Sequence, residues 1–104
     1  ADTSVVYVVD DDAAVRNSLV LLLKSVSLAA TTFDSARQFL EGVPADATGC
    51  LVLDIRMPGM SGIELQQQMK QRGYTLPIIF ITGHGDVSMA VNAMREGALD
   101  FIEK

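Results

Sequence analysis

Residues 50–65 read CLVLDIRMPGMSGIEL, a stretch that changes character twice. Cys50 to Leu53 is a continuous apolar run with no polar alternation, which predicts a strand covered on both faces. The run stops on Asp54. Pro58-Gly59 then breaks the chain. Ser61 and Glu64 have the spacing of a capping box, which opens a helix reaching to about Gly73. A buried strand followed at once by a helix is one unit of a parallel sheet wound by crossover helices.

The same alternation continues on either side. Toward the N-terminus, Val5 to Val9 is a short β-branched run, and Val15, Leu19, Leu22, Leu23 and Val26 recur at spacings of three and four, the stripe of one helix face. Leu28 to Phe33 reads as a weaker strand, and Ser35 with Gln38 repeats the capping-box spacing ahead of Phe39 and Leu40. Toward the C-terminus, Pro77 opens the apolar run Ile78 to Ile81. Asp86 is placed to cap a helix with Val87, Ala90, Val91 and Met94 on one face, and Gly97 ends it ahead of a last strand, Leu99 to Ile102. Five strands and four helices in this order predict an α/β domain built on a doubly wound parallel sheet. The sequence stops at Lys104, where such a domain ordinarily adds a helix over the sheet. The expectation is therefore a single domain spanning 1–104, cut short after strand five and lacking the final helix.

Composition narrows the function classes. A chain of 104 residues that is 49% hydrophobic suits one small domain burying about 60–65% of its unfolded surface. A net charge of −5 argues against this segment itself holding nucleic acid or an anionic membrane, since both call for clustered Lys and Arg. The longest aliphatic run, Leu19 to Leu23, is far too short to span a bilayer, and no charged-then-apolar leader opens the chain. Cys50 is the only cysteine, so neither an internal disulfide nor a thiolate metal cluster is available. It reads as a small core residue. The expectation is a soluble, cytoplasmic protein.

The acids carry the chemistry. Asp10 and Asp11 end the first strand and Asp54 ends the third. In an open parallel sheet the carboxyl ends of the strands gather at one edge, where ligands bind. If the strand order is 2-1-3-4-5, strands one and three are neighbours and these carboxylates converge. Carboxylates that close raise one another's pKa unless a cation sits among them, and an oxygen-only, partly hydrated donor set suits Mg²⁺. Thr82, at the end of strand four, adds a hydroxyl, and Lys104, after strand five, adds an ammonium. Carboxylates, hydroxyl and ammonium form a phosphoryl-binding set in which Asp54 is the candidate nucleophile, attacking phosphorus in line while its neighbours hold the metal.

VVDDD (8–12), LVLDIRMPGMSGIEL (51–65) and ITGHGDVSMAVNAMREGALDFIEK (81–104) resemble the receiver domain of two-component response regulators, in its FixJ-type branch. The resemblance runs from about Val5 to Lys104, and its motifs occur in order. It implies a flavodoxin-like fold with strand order 2-1-3-4-5, and it implies Asp54 as the phosphoacceptor. Asp11 would bind Mg²⁺ (or Mn²⁺) directly, Asp10 would act through water, and the Arg56 backbone carbonyl would complete the ligand set. Thr82 matches the switch hydroxyl, Phe101 the switch aromatic and Lys104 the phosphate-pairing lysine. The implied partners are a sensor histidine kinase as phosphodonor, a second copy of the chain on phosphorylation, and an output DNA-binding domain elsewhere in a longer protein. The implied activity is a switch that assists its own phosphorylation and dephosphorylation rather than a conventional turnover enzyme.

Plainer readings stand beside these. Asp12 fits a helix N-cap. The five methionines read as packing residues. His84, the sole histidine, reads as an exposed loop residue. A sharper expectation makes the Arg56 and His84 side chains flank the phosphoryl group and tune hydrolysis. Val20 and Leu21 either point outward, as a patch for the kinase's helices, or are crowded beneath a neighbouring helix. Two rival functions are an aspartate-nucleophile phosphatase and a non-phosphorylated interaction module. The first typically needs a second acid at the position that Arg56 holds; the second needs loss of an acidic-pocket residue.

Overall fold

The computed structural model describes residues 5–83 and 85–103. The elements follow in the order β1 (Val5–Val9), α1 (Ala13–Ser25), β2 (Ala29–Phe33), α2 (Ala36–Gly42), β3 (Cys50–Asp54), α3 (Gly62–Gln71), β4 (Ile78–Thr82), α4 (Val87–Arg95) and β5 (Asp100–Glu103). The strands form one sheet of order β2-β1-β3-β4-β5, every pair parallel, as the sequence reading expects. The chain winds outward in both directions from β1 and β3. The point of reversal therefore lies between Asp10 and Asp54.

Local chemistry sets the helix starts. Ser61 accepts the Glu64 amide at 3.2 Å while the Glu64 carboxylate accepts the Ser61 amide at 3.1 Å, a complete capping box. At α2 only half the box forms: Ser35 accepts the Gln38 amide, but Gln38 reaches past it to the Asp34 amide. Asp12 caps α1 by accepting the Ala14 amide at 2.9 Å. At α4 the expectation fails. Asp86 holds the N-cap position without accepting a capping bond, because its carboxylate is engaged elsewhere.

Alternation along the strands divides the core. Leu51 and Leu53 of β3 and Phe80 of β4 face α2, α3 and α4, where Phe39 and Leu65 join them at full burial. Phe39 packs against the rings of Tyr7, Phe33 and Tyr74 with centroids 5.7–6.1 Å apart. Fully burying such a side chain stabilises by roughly 1.5–3 kcal/mol, so this face contributes most of the cohesion. Met57 and Met69 are buried in it, and Met60, Met89 and Met94 pack against it.

The opposite face is thinner. Among the described helices α1 alone covers it, and α1 buries no residue fully. Val15, Leu19 and Leu23 are half-buried as the stripe predicts, but Leu22 and Val26 are 61% and 62% exposed. Periodicity identifies an apolar helix face without saying how far a neighbour covers it. Leu21 is exposed, whereas Val20 is half-buried. A groove of about 570 Å³ runs between α1 and the sheet, lined by Leu19, Leu22, Val52, Ile79, Ile81 and Ile102. α4 brings a second correction: Ala90 and Ala93 are buried while Val87 and Val91 are exposed. Alanines let the helix approach the sheet closely and push the larger valines to its margin. Cys50 is half-buried rather than fully in the core, and burial raises its thiol pKa.

Candidate functional site

The β1–β3 register pairs Val9 with Leu53, so the next residue on each strand, Asp10 and Asp54, stands at the same edge. Carboxylate oxygens of Asp10, Asp11 and Asp54 all lie within 4.8 Å of one another. Asp10 is fully buried and Asp54 nearly so, while Asp11 is exposed. Burying carboxylates together is costly unless positive charge compensates. The donors are all hard oxygens, and opposite ligands of an octahedral ion with bonds of about 2.1 Å are about 4.2 Å apart. The cluster thus fits a hydrated Mg²⁺ or Mn²⁺ in both chemistry and size. One carboxylate reaching solvent leaves room for the waters that such an ion retains.

Backbone and side-chain bonds hold the cluster in place. Asp10 donates its amide to the Phe33 carbonyl of β2 and accepts the Asp12 amide on its own carboxylate at 2.9 Å. Arg16, one turn into α1, donates from Nη1 to the Asp10 carbonyl at 2.8 Å. The sequence reading missed Arg16, because a spacing of six matches no local pairing rule. On the β3 side, Ile55 continues the ladder to Ile81, and the Gly62 amide donates to the Ile55 carbonyl at 2.8 Å. A Cβ at Gly62 would lie 2.1 Å from the Asp54 carbonyl oxygen. Only glycine lets α3 start this close to the acid, and that requirement was also unread in the sequence.

Asp54 pairs with Ile81 of β4, so Thr82 lies one step further toward the same edge. It is fully buried, and its hydroxyl has no hydrogen-bond partner among the described residues. A buried hydroxyl without a partner is costly, and a phosphoryl oxygen at the strand ends would satisfy it. Phe101 of β5 is half-buried beside Phe80 and packs against the core. Arg56 is exposed, and its guanidinium turns to Asp86 at 2.7 Å and Met89 at 3.9 Å. His84 and Lys104 lie outside the described residues.

Comparison with known proteins agrees with this geometry. A profile described as the response regulator receiver domain matches residues 6–104. The chain belongs to this family. The receiver domain is 52% identical over 99 residues to the transcriptional regulatory protein FixJ of Bradyrhizobium diazoefficiens, covering 95% of this chain and 48% of FixJ. It is 52% identical over 101 residues to the response regulator protein TodT of Pseudomonas putida, covering 97% of this chain and 44% of TodT. It superposes on full-length FixJ from B. japonicum with a TM-score of 0.92 at 50% identity, covering all of this chain and 51% of that one. The chain spans about half the length of the curated relatives it matches. Receiver domains are signalling modules of two-component systems rather than metabolic enzymes, and they generally bind Mg²⁺ at an acidic pocket of this kind. No described helix is long and apolar enough to cross a membrane.

Proposed function

We propose that this receiver domain is a phosphoacceptor switch, in which Asp54 receives a phosphoryl group from a phosphohistidine on a sensor histidine kinase. The observation that carries the reading is the convergence of Asp10, Asp11 and Asp54 at the carboxyl ends of β1 and β3. An Asp54 carboxylate oxygen attacks phosphorus in line, the P–N bond breaks, and the imidazole leaves with the bonding electrons. Asp10, Asp11, Asp54 and the Arg56 carbonyl would hold the metal. Bound Mg²⁺ or Mn²⁺ supplies charge neutralisation on the phosphoryl oxygens. Thr82 donates its hydroxyl to one of those oxygens, and Lys104 pairs with another. Attack by water on the aspartyl phosphate returns the carboxylate, so the domain assists both steps and resets itself.

The output side of this reading runs through Thr82. Once its hydroxyl is drawn to the phosphoryl group, the space beside it changes shape, and Phe101 and α4 repack. The surface altered is that of α4 and β5, which in this reading controls dimerisation and an output domain acting in transcription, in the cytoplasm. The test is phosphorylation by acetyl phosphate read by intact mass. Wild type with Mg²⁺ gains one phosphoryl group, while wild type with EDTA and Asp54→Ala gain none. Equal labelling of Asp54→Ala would defeat the reading, and multiple turnover of phosphomonoesters would favour a phosphatase.

A further inference from the structure

Two separate ties hold α4 to the rest of the domain. At its C-terminal end the Gln66 amide donates to the Ala93 carbonyl at 3.0 Å, and Lys70 donates to the carbonyl and carboxylate of Glu96 at 3.3 Å each. At its N-terminal end the tie is the Arg56 guanidinium, on Asp86 at 2.7 Å and Met89 at 3.9 Å. Between them the helix buries only Ala90 and Ala93. Packing of the first turn rests on the small Ala90 and on part of Met89, and the Arg56 contact adds a polar tie at the same end.

Asp86 forgoes a local partner to make this tie. An aspartate at an N-cap ordinarily accepts an amide from the first helical turn, and Asp86 accepts none. Its carboxylate is 6% exposed against 71% for the Arg56 side chain, so removing the guanidinium strands a nearly buried charge. The buried carboxylate distinguishes the pair from one exposed on both sides, which contributes little. The residues it joins also matter. Arg56 lies two residues past Asp54 and lends its carbonyl to the proposed metal site, while Asp86 lies four residues past Thr82. Gly85, at a φ of 95°, takes a backbone conformation that glycine adopts without strain.

We infer that the Arg56–Asp86 pair carries occupancy of the Asp54 site to α4, with Asp86 as a positioning residue, alongside the route through Thr82. The inference rests on the phosphoacceptor reading of the site. A shift of the backbone at residues 55–57 on ligand binding moves the guanidinium. The buried carboxylate follows it and takes the first turn of α4 along. By linkage the coupling is reciprocal, so what moves that turn also changes affinity at the site.

Amide hydrogen exchange over Val87–Met94, with and without Mg²⁺ and beryllofluoride, tests this together with calorimetric Mg²⁺ titration. In wild type the ligands change exchange in the first turn of α4 by about tenfold. Asp86→Asn binds Mg²⁺ within about threefold of wild type, yet its α4 response falls below about threefold. A wild-type response in Asp86→Asn overturns the inference. Should that variant not fold, Arg56→Gln, which keeps the backbone carbonyl, is read in the same way at saturating Mg²⁺. Arg56→Lys, which keeps the charge, restores part of the response. Absence of Mg²⁺ binding by wild type itself defeats the reading of the site, and this inference with it, and the titration alone identifies that outcome.

Discussion

Asp10 and Asp54 stand side by side at the carboxyl ends of adjacent strands, both inside the protein, with Asp11 bringing a third carboxylate oxygen within 4.8 Å. A divalent cation held by these oxygens would bind the folded state and not the unfolded chain. Mg²⁺ should therefore raise the melting temperature of wild type. At a hundred times its dissociation constant the gain is about 2.7 kcal/mol. Asp11→Asn, which removes an exposed donor without opening the core, should lose at least about tenfold in affinity, or about 1.4 kcal/mol. Calorimetric titration and melting curves check both, and equal Mg²⁺ affinity in the variant would contradict the ligand assignment.

Gly62 limits how the acid can be displaced. Gly62→Ala places a methyl group on the Asp54 carbonyl oxygen, at 2.1 Å before relaxation. The start of α3 must then retreat from β3, at a cost of about 1–3 kcal/mol by overpacking. Urea unfolding measures the loss. A variant as stable as wild type would show that α3 is held less tightly than this.

The two faces of the sheet should respond differently to truncation. Leu65 is fully buried against β3, whereas Leu22 is 61% exposed along the α1 groove. Leu65→Ala should cost about 2–5 kcal/mol, and Leu22→Ala no more than about 1 kcal/mol in this chain. Denaturant midpoints for the two variants decide the point.

Cys50 links stability to alkaline pH. Desolvation raises its thiol pKa, opposed in part by a backbone hydrogen bond from Leu51. The native state thus keeps its proton at a pH where the unfolded chain has released it. Stability should fall as pH rises through the unfolded thiol's value, about 8.5, and level off above the folded one. Unfolding of wild type and Cys50→Ala across that range shows the difference, and iodoacetamide should react more slowly with the folded protein than with a free thiol.

Much of this was legible in the sequence because the signals were local. The run Cys50 to Leu53, the capping box at Ser61 and Glu64, and Asp12 ahead of α1 each specify their own neighbourhood. Asp10, Asp11 and Asp54 could be joined because parallel winding sends strand ends to one edge and the strand order implied by the family resemblance makes the first and third strands neighbours. What stayed hidden depended on distant or unseen surfaces. Asp86 looked like a helix cap because its real partner, Arg56, lies 30 residues away. Leu22 and Val26 looked buried because periodicity records which helix face is apolar, not what covers it. Val87 and Val91 outranked Ala90 and Ala93 by hydrophobicity, yet close approach to the sheet favoured the smaller side chains.

Phosphorus is expected to bond to Asp54 and to no other carboxylate. Borohydride reduces an aspartyl phosphate to homoserine, so trapping after acetyl phosphate treatment, followed by peptide mass mapping, reads the site directly. The expected result is homoserine at position 54 alone, dependent on Mg²⁺. Conversion at Asp10 or Asp11, or none at all in protein that binds Mg²⁺, would contradict it.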